Sequence, residues 1–288
     1  MSELSPRLSI GLPVYNGENF LEQSLDSLLA QTYGDFEVVI SDNASTDGTA
    51  DICKKYAARD SRVKYVRQEK NLGAAENYNF VFRESKTEFF KWATHDDLLA
   101  PTFLECCMEV LEVKDDVVLV FTLGQDIDEN GNVIRTYPPR NDTDDLNQFQ
   151  RYRSMVAGRQ PVIPVFGVMR RETLAKTRLI GKYTGSDRPL IGEMALRGKI
   201  YEVPEYLFFY RVHPEQSWGN KSRRDQQAWY DPKRAGKRTF PTWRLLLEHE
   251  RAIWSVPMGL KQRIRLHGVI ASWVRTRWRV LVRDFTGK

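Results

Sequence analysis

Leu8-Ser9-Ile10-Gly11-Leu12-Pro13-Val14-Tyr15-Asn16-Gly17, taken together with Phe36-Glu37-Val38-Val39-Ile40-Ser41-Asp42, decides the fold. Each stretch opens as a short, almost wholly apolar run and stops at turn-forming residues, the pattern of a strand buried on both faces. Between them, residues 18 to 31 place Phe20, Leu21, Leu25, Leu28 and Leu29 at three-and-four spacing, which predicts an amphipathic helix. Strand, helix and second buried strand form a βαβ unit, whose strands run parallel through a right-handed crossover.

The same alternation continues outward. A helix is predicted over 49–59, a strand over 63–66, a helix from Ala74 to about Ser85, an apolar strand-like run over 88–94 and a helix starting near Pro101. The fold class is therefore α/β, with a Rossmann-like, mainly parallel central sheet flanked by helices. In such sheets ligands gather outside the carboxyl ends of the strands. Residues 13–18, residues 42–49 and the triplet His95-Asp96-Asp97 all follow predicted strands and should share one crevice. Neighbouring side chains at a strand end point to opposite sides, so one carboxylate of the triplet can reach a divalent cation while the other holds a different part of a ligand. The plainer reading of the triplet is a solvated loop capping the next helix. Beyond residue 112 the pattern changes to a strand over 117–121, a hairpin turn at 128–132 and a polar stretch over 138–150 suited to a lid.

With 41% hydrophobic and 28% charged residues over 288 positions, the chain reads as globular rather than disordered. A body spanning 1–220 and an extension spanning 221–288 are expected, because the charge is divided there. The extension carries 17 Lys and Arg against 5 Asp and Glu, a net +12, which leaves the body at −7 within the overall +5. A basic extension on an acidic body suits an anionic surface. Six tryptophans, at 218, 229, 243, 254, 273 and 278, lie after residue 217. A helix over 260–283 would put Lys261, Arg265, Arg279 and Arg283 on one side and Leu260, Ile264, Ile270, Val274, Trp278 and Leu281 toward the other. That suits a helix lying on a membrane, or one packed on its own domain or on a second copy in a homodimer. Cys53, Cys106 and Cys107 have no metal-ligand spacing, and neither a leader nor a membrane-spanning run is seen. The expectation is a cytoplasmic protein with reduced thiols, peripheral on the inner face of a membrane.

Pro13-Val14-Tyr15-Asn16 with Glu18, then residues 41–49 (Ser-Asp-Asn-Ala-Ser-Thr-Asp-Gly-Thr), then Asn71-Leu72-Gly73, then His95-Asp96-Asp97 together resemble the ordered motif set of family 2 glycosyltransferases, inverting enzymes of the GT-A fold. The likeness is dense over residues 8 to about 123 and looser over 185–217. It implies a UDP-, GDP- or dTDP-sugar donor, a hydroxyl acceptor on a glycan, lipid or protein, and Mn²⁺ or Mg²⁺ as cofactor. It further implies that Pro13, Tyr15, Glu18, Asp42 and Asn71 line the nucleotide pocket, with Asp42 accepting from the imide N–H of a pyrimidine. Asp96 would contact the ribose or donor sugar and Asp97 would hold the metal. Asn43 stands where a second acidic residue is usual, and His95 departs from the usual acidic start of the triplet. Asp187 is the candidate base, with Glu193 second and a helix N-cap as the structural alternative for Asp187. In the segment from Tyr210 to Ser217, His213 is a candidate third metal ligand and Arg211 a candidate diphosphate partner.

Two enzyme classes and two binding classes compete. A nucleotidyltransferase would open with a Gly-rich phosphate loop, which Leu12 to Asn16 is not. A nucleic-acid-binding protein would use the +12 extension, but no nucleic-acid module is recognisable and the acidic body opposes it, so no nucleic acid is expected. A non-catalytic sugar-nucleotide-binding protein shares every binding feature and differs only in turnover.

Overall fold

The computed structural model describes residues 6–139, 147–157, 163–216 and 223–286. The first stretch runs β1 (Leu8–Val14), α1 (Leu21–Leu29), β2 (Phe36–Asp42), α2 (Thr49–Arg59), β3 (Val63–Arg67), α3 (Ala74–Glu84), β4 (Phe89–Trp92), β5 (Leu98–Leu99), α4 (Phe103–Val113), β6 (Val117–Ile127) and β7 (Val133–Thr136). Then follow α5 (Gln148–Ala157), β8 (Val168–Arg170), α6 (Arg171–Ala175), α7 (Asp187–Arg197), β9 (Lys199–Arg211), α8 (Arg223–Tyr230), α9 (Pro241–Ser255) and α10 (Leu260–Thr286). Helix α5 occupies the end of the stretch expected as a lid. Residues 140–146 of that stretch, Ser217, Trp218 and the expected boundary at 220 lie outside the described residues.

The sheet order is β3-β2-β1-β4-β8-β6-β9-β5, with β7 paired to β6. From β3 to β4 every pairing is parallel, as the βαβ reading requires. Short β8 then runs antiparallel to both β4 and β6, β9 returns parallel to β6, and β5 is antiparallel to β9. The whole is a mixed α/β sheet whose parallel half carries the first three loops. All seven residues of β1 and of β2 are buried, because helices cover both faces of the sheet. The proline does not end the ladder. Pro13 pairs with Ser41 and Val14 with Asp42, whereas β4 pairs only as far as Gly11 and Trp92. A residue without an N–H is tolerated there because one flank of β1 already has no partner strand.

On one face, Leu21, Leu25 and Leu28 of α1 and Phe103, Cys107 and Leu111 of α4 close over the sheet. On the other, Val81 and Phe82 of α3 meet Leu190, Ile191 and Met194 of α7. A third cluster joins Tyr152, Val156 and Leu196 to Ile253, Leu266, Ile270 and Trp273, so α9 and α10 share a core with α5 and α7. Ile270 and Leu281, expected on the apolar side of the last helix, are both buried.

Candidate functional site

The loops after β1, β2 and β3 are laced together by short polar side chains. Asn16, held at φ +51°, accepts from the Thr46 N–H at 2.9 Å while its own N–H donates to Ser45 Oγ at 2.9 Å. The Gly17 N–H donates to Thr49 Oγ1 at 2.8 Å. Glu18 Oε2 accepts from the Gly48 N–H at 2.6 Å and Asp47 Oδ1 from the Thr49 N–H at 3.1 Å, so both carboxylates satisfy orphan donors at the start of α2. Asn43 Nδ2 donates to Asn71 Oδ1 at 3.0 Å while Asn43 Oδ1 accepts from the Leu72 N–H at 2.7 Å. A carboxylate could not make both contacts, which gives a physical reason for the amide at a position where an acid is usual. Gly73, at φ +82°, brings this loop against the 230–232 segment, where a Cβ would lie 2.5 Å from Pro232 and 2.8 Å from the Tyr230 carbonyl oxygen.

This lacing reassigns two expected nucleotide contacts. Asp42 is fully buried and its carboxylate is turned inward, with Oδ1 accepting from the Ser45 N–H at 2.7 Å and Oδ2 from Tyr65 Oη at 3.0 Å and Arg67 Nη1 at 3.1 Å. The Ser45 contact makes Asp42 the first residue of an Asx-type turn, and no edge is open to a base. Pro13 is likewise a buried strand residue rather than a pocket wall. Tyr15, 40% exposed, and the exposed Asn71 remain at the crevice edge, and the Glu18 side chain stands beside them as a cap.

The triplet is positioned by β9. Asp97 Oδ1 accepts from the Arg211 backbone N–H at 3.0 Å, and Oδ2 from Thr94 Oγ1 at 2.6 Å. Arg211 is fully buried: Nε donates to the Asp96 carbonyl at 2.9 Å, Nη1 to the carbonyls of Asp128 and Glu129 at 3.2 and 2.7 Å, and Nη2 to Gln23 Oε1 at 2.8 Å. Its guanidinium also lies 4.5 Å over the Phe20 ring. Arg211 therefore braces the turn, and burial with four of its five N–H donors engaged opposes its expected pairing with a diphosphate. His95 packs its ring against Gly17, where a Cβ would come within 2.6 Å of it.

Asp96 faces differently. Its Oδ2 lies 3.1 Å from His213 Nε2, and the His213 ring stands edge-on to Phe20 at 4.9 Å. Burial acts to raise the Asp96 carboxyl, but the charge of His95 and hydrogen bonds from His213 and Thr94 outweigh it and hold it below the usual range. Asp97 moves the other way, pushed well up by burial and then by the charge of Asp96. Asp96 and His213 offer one oxygen and one nitrogen at the separation of neighbouring ligands around a divalent ion with bonds of about 2.1 Å. Among the described residues no group of three or more His, Cys, Asp and Glu side chains forms a cage. The donor set fits an ion that takes its remaining ligands from a bound phosphate ligand and water, while both oxygens of Asp97 are engaged by Thr94 and the Arg211 N–H.

Asp187 opens α7 at the same end of the sheet. Its Oδ1 accepts from the Arg188 N–H at 3.0 Å, and burial raises its carboxyl above the usual range against the pull of Arg188. The N-cap position belongs to Ser186, whose buried Oγ has no hydrogen-bond partner. Glu193 instead accepts from Arg197 at 2.5 Å and from Ser255 Oγ at 2.8 Å inside the fold, which removes it as a base. Burial pushes up the phenols of Tyr78 and Tyr230, with the charges of Asp96 and Asp97 adding at Tyr78 and that of Asp187 at Tyr230. Sequence reading missed Thr94, Tyr78 and Tyr230. Thr94 was detectable as a hydroxyl three residues before Asp97, whereas Tyr230 comes from the extension and carries no local signal.

The sequence profile described as Glycosyl transferase family 2 matches residues 9–178. An uncharacterized glycosyltransferase of Rickettsia typhi is 29% identical over 218 residues, which cover 74% of this chain and 66%, just under two thirds, of that protein. Staphylococcus aureus TarS 1-349, solved in complex with UDP-GlcNAc, superposes with a TM-score of 0.72 at 17% identity, covering 95% of this chain and 73% of that one. The mannosyltransferase PcManGT of Pyrobaculum calidifontis, solved with GDP-Man and Mn²⁺, gives 0.57 at 17% identity, covering 96% and 76%. At that identity both likenesses show the fold, the GT-A arrangement.

Proposed function

We propose that this chain, which belongs to glycosyl transferase family 2, is an inverting, metal-dependent enzyme that moves a sugar from a nucleoside-diphosphate sugar to a hydroxyl of a glycan, glycolipid or protein. The observation that carries the reading is the Asp96–His213 pair, 3.1 Å apart, at the strand edge where the first three loops converge. Asp96 and His213 would hold the cation, and their mixed oxygen and nitrogen donors favour Mn²⁺ over Mg²⁺. Such an ion, when bound, neutralises the charge that builds on the departing diphosphate. Asp97, Thr94 and Arg211 keep Asp96 in place rather than touching the ligand. Tyr15 and Asn71 flank the nucleoside.

Asp187 takes the proton of the acceptor hydroxyl as that oxygen attacks the anomeric carbon from the side opposite the diphosphate. A carboxyl raised by burial accepts that proton more readily than an ordinary one. One displacement of this kind inverts the anomeric centre. The two structural neighbours were solved with a uridine and a guanosine donor, so the base is left at UDP-, GDP- or dTDP-sugar.

A panel of such donors, each with and without Mn²⁺, tests the reading by thermal shift and then by transfer. At a hundredfold excess over its dissociation constant, the right donor stabilises the fold by about 2.7 kcal/mol, a rise of several degrees that should require the metal. No shift from any donor together with no turnover refutes the proposal. A metal-dependent shift without hydrolysis or transfer favours the non-catalytic reading.

A further inference from the structure

We infer that the outward face of the α9–α10 pair is a docking surface for an anionic lipid bilayer. Of thirteen large hydrophobic side chains exposed on the described protein, eight lie on these two helices. On α9 they are Trp243, Leu247 and Trp254, at 37, 52 and 63% exposure, and four-and-seven spacing puts them on one face. On α10 they are Leu260, Ile264, Trp278, Val282 and Phe285, each more than half exposed. Residues 260 and 278 are about five turns apart, so these too share a face, distinct from the buried stripe of Leu266, Ile270 and Trp273. Helix α10 thus has two apolar stripes, one spent on the core and one left outward.

The two outward stripes adjoin. Trp243 meets the Phe285 ring at 5.4 Å and donates from Nε1 to the Leu281 carbonyl, while at the other end Trp254 meets His267 and lies under Arg263 at 4.1 Å. Beside the apolar strip of α10, about a quarter turn round the helix, run exposed Lys261, Arg265, Arg275, Arg279 and Arg283. Among the described residues no helix is long and apolar enough to cross a membrane. An apolar strip with tryptophans, flanked by cations, instead lies in the plane of the interface, rings at headgroup depth and cations on lipid phosphates.

Charge decides among occupants. A two-fold contact with a second copy would set this strip of cations against itself. Nucleic acid would leave leucine, isoleucine and valine facing a polar backbone. An anionic bilayer satisfies both halves of the surface.

Co-sedimentation of the full chain with vesicles of phosphatidylcholine alone, or mixed with phosphatidylglycerol, tests the inference without any sugar donor, so its failure leaves the enzymatic reading standing. Binding is expected only to the mixed vesicles, with a blue shift in tryptophan emission. Arg265→Glu/Arg279→Glu/Arg283→Glu should weaken partitioning at least about a hundredfold, at about 1 kcal/mol per cation removed. Ile264→Asp/Trp278→Asp should abolish the blue shift. Unchanged melting temperatures check that both variants fold, and the lipid dependence of the unaltered chain stands as a test by itself. The inference is overturned if mixed vesicles bind no better than neutral ones. It is also overturned if light scattering shows a dimer that Ile264→Asp/Trp278→Asp dissolves, or if duplex DNA displaces the protein from vesicles.

Discussion

Replacing Arg211 separates a brace from a phosphate ligand. In the folded chain its guanidinium is fully buried and donates to three carbonyls, those of Asp96, Asp128 and Glu129, and to Gln23 Oε1. Arg211→Met removes four hydrogen bonds from a charged donor, leaving the half-buried Asp96 and Asp128 carbonyls unpaired while the acceptors of exposed Gln23 and Glu129 can turn to water. Each lost bond to a charged donor is worth about 1.5–3 kcal/mol, partly offset because the variant no longer desolvates a cation, so a net loss of about 3–5 kcal/mol is expected. Against a typical stability of about 5–15 kcal/mol, that lowers the urea midpoint by roughly 1–2 M. Arg211→Lys keeps the charge but not the fork, and should fall between the two. The assay is equilibrium unfolding by tryptophan fluorescence, in parallel with donor KM on the folded variant. An unchanged midpoint with a donor KM raised tenfold or more would return Arg211 to the diphosphate and refute the reasoning.

Asp96→Asn and His213→Ala should each reduce Mn²⁺-dependent transfer by about a hundredfold or more, and a metal titration should show the weakened binding, whereas Asp97→Asn should act mainly on stability. Asp187→Asn should cut transfer by about 10²–10⁴-fold with donor affinity unchanged in calorimetry, and full turnover would remove Asp187 as the base. Because a base works deprotonated and burial raises the Asp187 carboxyl, activity should fall with decreasing pH at a value above the ordinary carboxylate pKa of about 3.9. Lys91 supplies a separate stability test. Burial lowers its amine from 10.5 to about 7, and its Nζ donates to the Trp92 and Phe166 carbonyls, two acceptors that match the two N–H bonds of a neutral amine. Between pH 7 and 10.5 the unfolded chain holds a proton that the folded chain lacks, so stability rises with pH across that window, by up to about 5 kcal/mol. Lys91→Met should flatten the rise, and parallel profiles for variant and parent in urea titrations from pH 6 to 10 would contradict it.

How far the sequence reaches depends on the range of each interaction. The strands and helices from Leu8 to Val113, except the two-residue β5, follow from local periodicity, and the three crevice loops follow from the rule that parallel strands present their carboxyl ends together. The second half of the sheet was less legible, since β8 is three residues long and takes its place between β4 and β6 through pairings distant in sequence. The triplet shows the same division. Its location was legible, but which carboxylate faces the crevice was not, because that is set by the Arg211 N–H holding Asp97 and by His213 reaching Asp96, both more than a hundred residues away. The charge of Asp42 and of Arg211 is equally plain in the sequence, yet one is closed off by Tyr65 and Arg67 and the other by four acceptors. The last helix carries its cations and apolar residues openly, and only packing divides the latter into a stripe given to the core and one left for a partner. The sequence alone determined the family, the parallel half of the sheet and the edge where the chemistry gathers, since these rest on short-range patterns. Tertiary structure decided which polar groups are free to act, because hydrogen bonding and burial are settled by neighbours far along the chain.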